Sequence, residues 1–283
     1  MKLLAEQKLL TAKLSKYLFI YLQLKLCEMN NLLISNKELI TTITINRPKQ
    51  LNALNISTIE ELGKAFKNLQ SDKNTRVIVL TGAGEKSFVA GADIKEFSNY
   101  DNKQGTDLSR NGHLNLFNLI EDFPKPVIAA INGYALGGGL ELALSAHIRV
   151  ASKNAKLGLP EVSLGVIPGY GGTQRLTNLV GKGRAMEYIL TAKMIGVEDA
   201  RQSGLINEYC ELEELLPNCE NIARKIIKNS PRAISKAIKC VNASLKNESG
   251  FETEIEEFGK CFQTDDFIEG TTAFLEKRKP KYN

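Results

Sequence analysis

Histidine is almost missing from this chain: His113 and His147 are the only two in 283 residues, and neither belongs to an H-E-x-x-H pattern or a His/Cys cluster. A dedicated zinc site would have almost nothing to bind it, and no metal is expected. The five cysteines, Cys27, Cys210, Cys219, Cys240 and Cys261, form no C-x-x-C pair and follow no regular spacing. An odd, unspaced set points to a reducing, cytoplasmic setting rather than to a disulfide framework. Long apolar runs are lacking as well. In the Leu- and Lys-rich opening, Met1 to Glu28, the uncharged stretch from Tyr17 to Leu24 is far too short to span a bilayer, so no membrane partner is expected. The same opening has no glycine, proline or arginine, and Lys25 and Leu26 stand before Cys27. It lacks the marks of a secretory, lipoprotein or Arg-rich mitochondrial leader. Residues 1–28 are expected to be an extension ahead of a start at Met29, with no role assigned.

Charge of one sign is not concentrated. Lys and Arg outnumber Asp and Glu by 37 to 32, a formal charge of +5, and the basic residues are scattered among acids. No basic stripe interleaves with aromatics, so nucleic acid is not an expected partner, while a small anionic ligand is compatible. A hydrophobic content of 43% suffices for one large core with an appendage.

What is present is an alternation of β-rich runs and helical patterns. Leu39 to Asn46, Arg76 to Thr81, Pro126 to Asn132 and His147 to Ser152 are rich in Ile, Val and Thr and predict strands. Between them, Ser57 to Asn68 carries Ile59, Leu62 and Phe66, continued by Leu69 just beyond, at three- and four-residue spacing, and Thr106 to Glu121 reads as a second helix. Strand, helix, strand implies right-handed crossovers and a largely parallel α/β core. The alternation is expected to stop near Gly204. Beyond it, Leu212 to Asn229, Ala233 to Lys246 and Glu252 to Cys261 read as helices punctuated at Pro217, Pro231 and Gly250.

Three segments could carry chemistry. In Pro124 to Leu144, strand PVIAAING runs through turn YALGGG into helix LELALSA, which lets backbone approach a ligand and aims unpaired N–H groups at it. Glu141 falls in the first turn of that helix, where a carboxylate is as readily a dipole partner as a working group. Thr81 to Lys95 tempts toward nucleotide binding. Lys86 and Ser87 follow Glu85 rather than glycine, and Gly82 and Gly84 lack a third glycine, so both phosphate-loop and dinucleotide patterns fail. A small loop at Gly91 and Ala92, followed by Asp93 and Lys95, is what survives. In Leu157 to Leu176, Glu161 stands between Pro160 and an apolar run, where a carboxyl tends toward a raised pKa; a plain surface acid fits the local sequence equally well.

Together these segments resemble the crotonase superfamily and, within it, the enoyl-CoA hydratases. The resemblance runs from about Leu32 to Tyr282 and rests on an ordered series: NRPKQLNALN, FVAGADIKE, INGYALGGGLELAL, LPEVSLGVIPGYGGTQRL and the tail FLEKRK. It implies a spiral of ββα units over residues 29–223 and a helical oligomerisation region over 224–283, assembled as a homotrimer or a dimer of trimers. It implies Glu141 and Glu161 as the catalytic acids and the N–H groups of Ala92 and Gly138 as an oxyanion hole. Ala92, Asp93, Ile94 and Lys95 would line the acyl-CoA thioester, Gly169 would help to hold the catalytic water, and Phe274 and Lys277 would contact CoA, of the same or a neighbouring subunit. No cofactor is implied, CoA being part of the substrate. The implied reaction is reversible addition of water to a trans-2-enoyl-CoA, with Glu161 delivering the proton and Glu141 the second grip on the water. Another acyl-CoA reaction of the superfamily (isomerase, decarboxylase or thioester hydrolase) and a non-catalytic RNA-binding member of the fold are the alternatives. Two positions depart from the family pattern, Tyr170 where a smaller residue is common and Leu140 where cysteine is frequent, and both bear on the acyl chain.

Overall fold

The computed structural model describes residues 30–245 and 249–282, so the Met1 to Glu28 extension and Cys27 lie outside the described residues. The described chain begins with an antiparallel hairpin, β1 (Leu32–Lys37) and β2 (Ile40–Ile45). Helix α1 (Ile56–Ser71) follows, started by the Asn55 side chain accepting the Thr58 N–H. Its apolar stripe puts Ile59, Leu62 and Phe66 inside, as the spacing predicts.

From there the chain lays down pairs of strands that go to different sheets. β3 (Val77–Gly82), β5 (Val127–Ile131) and β7 (Ile148–Ser152) join β1, β2 and β10 (Glu208–Cys210) in a six-stranded sheet ordered β1-β2-β3-β5-β7-β10. Their successors, β4 (Ser87–Ala90), β6 (Tyr134–Leu136) and β8 (Lys156–Gly158), form a second sheet closed by β9 (Ile195–Gly196). A helix returns the chain after each pair. These are α2 (Asn102–Gly112), continued through a π-helical turn at His113–Phe117 into α3 (Asn118–Glu121); α4 (Gly138–Ser145); and α5 (Gly172–Leu190), kinked at Gly181. Strand, strand, helix repeated in this way is the ββα spiral.

Three expectations are corrected here. The turn YALGGG contains strand β6, and the helix after it starts at Gly138 rather than at Leu140. The alternation does not end at Gly204, because after α6 (Val197–Gln202) β10 pairs in parallel with β7. Pro217 does not punctuate: it lies in the first turn of α7 (Leu215–Ile227), where an N–H would have no helical partner to lose.

β3 and β5 are buried at every position, which suits strands covered on both faces and explains their unbroken apolar runs. On one face Val77, Val79, Ile128, Ala130 and Val150 pack on Leu215, Cys219 and Ala223 of α7. The four described cysteines are free. Burial pushes the Cys219 thiol up to about 12, so it serves as a small apolar side chain. His147 is likewise structural, its Nδ1 accepting the Val127 N–H at 2.9 Å.

The chain ends in α8 (Pro231–Ala243), α9 (Gly250–Cys261) and α10 (Asp265–Leu275). The last of these was not anticipated as an element. Glu257 ties α9 to α8 by accepting from Lys236 at 2.9 Å and Lys239 at 2.7 Å. Phe251, Ile255 and Phe258 on α9, Phe262 just after it, and Phe274 and Leu275 on α10 are exposed.

Candidate active site

The loop after β4 is pinned before it reaches the site. Leu54 donates its N–H to the Gly91 carbonyl at 2.9 Å and accepts the Asp93 N–H at 2.8 Å, a one-residue parallel pairing of Leu54 with Ala92. In such a pairing the groups of the facing residue itself point to the other side, so the Ala92 N–H is turned away from Leu54. Arg47 clamps the same loop, donating to the Ala53 carbonyl and to the Asp93 carboxylate at 3.3 Å.

The start of α4 meets this loop. Gly137 adopts φ 50° and ψ −126°, a conformation a side chain would oppose. A Cβ on Gly139 would lie 2.0 Å from the Val89 carbonyl oxygen, so only glycine lets α4 seat against β4. A Cβ on Gly138 would lie 3.7 Å from the Ala92 nitrogen. The first N–H groups of a helix have no partner within it. The backbones of Ala92 and Gly138 lie side by side.

Glu141 is 1% exposed, and its partners are not in its own helix. Its Oε1 accepts the N–H of Tyr170 at 2.7 Å and of Gly172 at 2.8 Å, donors at the entry to α5. Burial drives its pKa from 4.5 up to about 7; Glu161 adds to the rise, while the Gly172 and Tyr170 amides and Arg175 oppose it. Glu161 opens a short 3₁₀ turn, Glu161–Leu164, and burial raises its pKa too. Its Oε1 lies 3.0 Å from where a Cβ on Gly137 would stand, and its Oε2 is buried with no hydrogen-bond partner among the described residues. A buried acceptor left open is suited to a water or substrate proton.

The other sequence candidates fall into two groups. Asp93, Ile94 and Lys95 continue from Ala92 into a 3₁₀ turn, with Ile94 and Lys95 exposed at the rim. The carbonyl of Gly169 accepts from Ser109 Oγ at 2.6 Å, holding the residue just before the Tyr170 donor. Phe274 is 82% exposed at the end of α10, and neither it nor Lys277 lines the cavity beside Ala92.

Sequence reasoning missed the group that holds Glu141. Arg175 donates to the Tyr170 carbonyl at 2.8 Å, to Asn118 at 2.9 Å and to Glu121 at 2.7 Å, fixing the turn that presents both amides. The Gly171-Gly172 pair at a helix start was the signal for these donors; the arginine had none. Among the described residues no cluster of three or more His, Cys, Asp or Glu could hold a metal. Nor is any described helix long and apolar enough to cross a membrane.

The chain is similar to known proteins over most of its length. The family model described as enoyl-CoA hydratase/isomerase matches residues 35–283. The short-chain-enoyl-CoA hydratase of Clostridium acetobutylicum is 44% identical over 89% of this chain and 97% of its own. The crotonyl-CoA hydratase of Syntrophomonas wolfei is 42% identical over the same shares. Among solved structures, an enoyl-CoA hydratase from Bacillus anthracis superposes with a TM-score of 0.83 at 38% identity, over 89% of this chain and 98% of that one. The chain belongs to the enoyl-CoA hydratase/isomerase family.

Proposed function

We propose that this protein is an enoyl-CoA hydratase that adds water reversibly across the double bond of a short trans-2-enoyl-CoA, giving the 3-hydroxyacyl-CoA. The observation that carries this reading is the pair of carboxyl groups, buried Glu141 and half-buried Glu161, near the backbone of Ala92 and Gly138. Relatives named for short-chain enoyl-CoA and crotonyl-CoA support the substrate class.

In this reading the thioester oxygen accepts from the Ala92 and Gly138 N–H groups. One such donor is typically worth roughly 3 kcal/mol in the transition state. Water held between the two glutamates adds its oxygen to Cβ, the double-bond electrons move to Cα and onto the thioester oxygen, and Cα then takes a proton. Hydration needs one carboxylate to accept a proton and one carboxylic acid to supply one. Two neighbouring carboxyl groups whose pKa values are both raised by burial, that of Glu141 to about 7, meet that need, and they titrate as a pair. Glu161 is assigned proton delivery, because its Oε2 has no partner among the described residues and is free to carry a proton to Cα, and Glu141 is the second grip on the water, held by its two amides. Asp93, Ile94, Lys95 and Gly169 border the substrate, with no cofactor beyond the CoA thioester.

Residues 224–283 are assigned to assembly into a homotrimer or a dimer of trimers, where Phe274 and Lys277 reach the CoA of a neighbouring subunit. A cytoplasmic setting suits the free cysteines. Incubation with crotonyl-CoA in ¹⁸O-labelled water tests the reaction. The expected product is 3-hydroxybutyryl-CoA carrying one label; a shifted double bond or released CoA would instead identify an isomerase or a thioester hydrolase.

A further inference from the structure

The ring of Tyr170 lies between two glycines, Gly138 and Gly112. On one side, a Cβ on Gly138 would lie 3.5 Å from Tyr170 Cδ2 and 3.7 Å from the Ala92 nitrogen. On the other, a Cβ on Gly112 would lie 2.3 Å from Cε1 and 2.5 Å from Cδ1. Beside Ala92 and Tyr170 there remains a cavity of about 10 Å³, closed by Leu54, Ile59, Phe97 and Leu108. That is space for about one water-sized group. Beyond lies a cleft of about 400 Å³ lined by Gly112 and Asn115, which shares Ile56, Ile59, Tyr100 and Leu108 with the small cavity. Ala92 lines only the small cavity and Gly112 only the cleft, while Tyr170 touches both glycines.

The ring is also locked. It is 6% exposed and stacks on Phe117 with centroids 4.6 Å apart and planes within 11°. Gly112 leaves it no slack, because anything larger there would collide with it. A stacked ring wedged against backbone does not swing aside for a longer ligand at low cost.

We propose that the Tyr170 side chain is the wall that ends the acyl site: it limits the enzyme to short enoyl chains, and a smaller residue at this position opens the site into the cleft beyond. The proposal rests on the hydratase reading and adds a specificity-determining residue to it. The backbone N–H of Tyr170 that serves Glu141 is independent of the ring, so the two roles are separable by substitution.

The test is kcat/KM for C4, C6, C8 and C10 trans-2-enoyl-CoAs with the full-length wild type and with Tyr170→Ala, Tyr170→Leu and Tyr170→Phe. Wild type is expected to lose about tenfold or more between C4 and C8. The C10-to-C4 ratio is expected to rise by about tenfold or more in Tyr170→Ala and by less in Tyr170→Leu, with Tyr170→Phe tracking wild type. Because the readout is a ratio within one protein, a general loss of activity does not move it. A wild type that takes C10 as well as C4 would overturn the wall even if no variant folds. Ala and Leu variants that keep the wild-type ratio would overturn it as well. Failure of wild type to hydrate any chain length would overturn the hydratase reading itself, a distinct result.

Discussion

At Glu141 burial and hydrogen bonding pull in opposite directions. Its carboxyl sits almost wholly out of water, which favours the neutral form, yet two amides reward its charge. Burial wins, and the pKa rises to about 7. The consequence for stability follows from linkage. A carboxyl whose folded pKa is raised binds its proton more tightly in the native state, so its contribution is complete below about 4.5 and is lost as pH rises through about 7. The loss amounts to roughly 3 kcal/mol by this accounting. Glu161, also raised, contributes with the same sign. Glu141→Gln keeps the shape, can accept the same two amides and has no charge to bury. It is expected to melt roughly 5 °C or more above wild type at pH 8.5, with the gap closing toward pH 5 in a calorimetric series. A gap that widens on acidification would show that the burial term has been misjudged.

The element that decides whether Glu141 is held correctly is the turn into α5. Arg175, 8% exposed at its side chain, bridges the Tyr170 carbonyl to Glu121 on α3 and so fixes two amides that touch the carboxylate. It is a positioning residue. Arg175→Met is expected to cost about 3 kcal/mol of stability, because Glu121 loses its partly buried partner. It should also lower kcat on the order of 10²-fold with KM for crotonyl-CoA little changed, through displaced geometry alone. Arg175→Lys, which keeps the charge on Glu121, should recover part of the stability and little of kcat. A fall confined to stability would reduce Arg175 to a core brace. Such elements also show what the sequence made legible. The strands β2, β3, β5 and β7 were readable because branched apolar residues are required where both faces are covered, and α1 because its stripe is one-sided. β4, β6 and β8 were not, since three- or four-residue strands beside glycine turns are held by their neighbours rather than by their own pattern. The two glutamates were legible only as members of an ordered motif series. Locally Glu141 resembled a dipole partner, and its true donors lie about 30 positions away.

On the scale of the whole molecule, Phe251 at 84% and Phe274 at 82% exposure are hard to reconcile with a chain that works alone. Ile255, Phe258 and Phe262, exposed as well, follow Phe251 at three- and four-residue spacing. Light scattering is expected to give three or six copies for wild type, and Phe258→Asp combined with Phe262→Asp is expected to give monomers of reduced activity. A wild type that is monomeric at micromolar concentration would refute this assembly. Catalysis itself is the property that most directly tests the account, which holds that Glu141 and Glu161 act as one unit on one water. With crotonyl-CoA, and following loss of the conjugated enoyl-thioester absorbance, Glu141→Gln and Glu161→Gln are each expected to lower kcat by roughly 10³-fold or more, and the double variant to be little worse than the poorer single one. Wild-type turnover in either single variant would contradict the paired-carboxylate site.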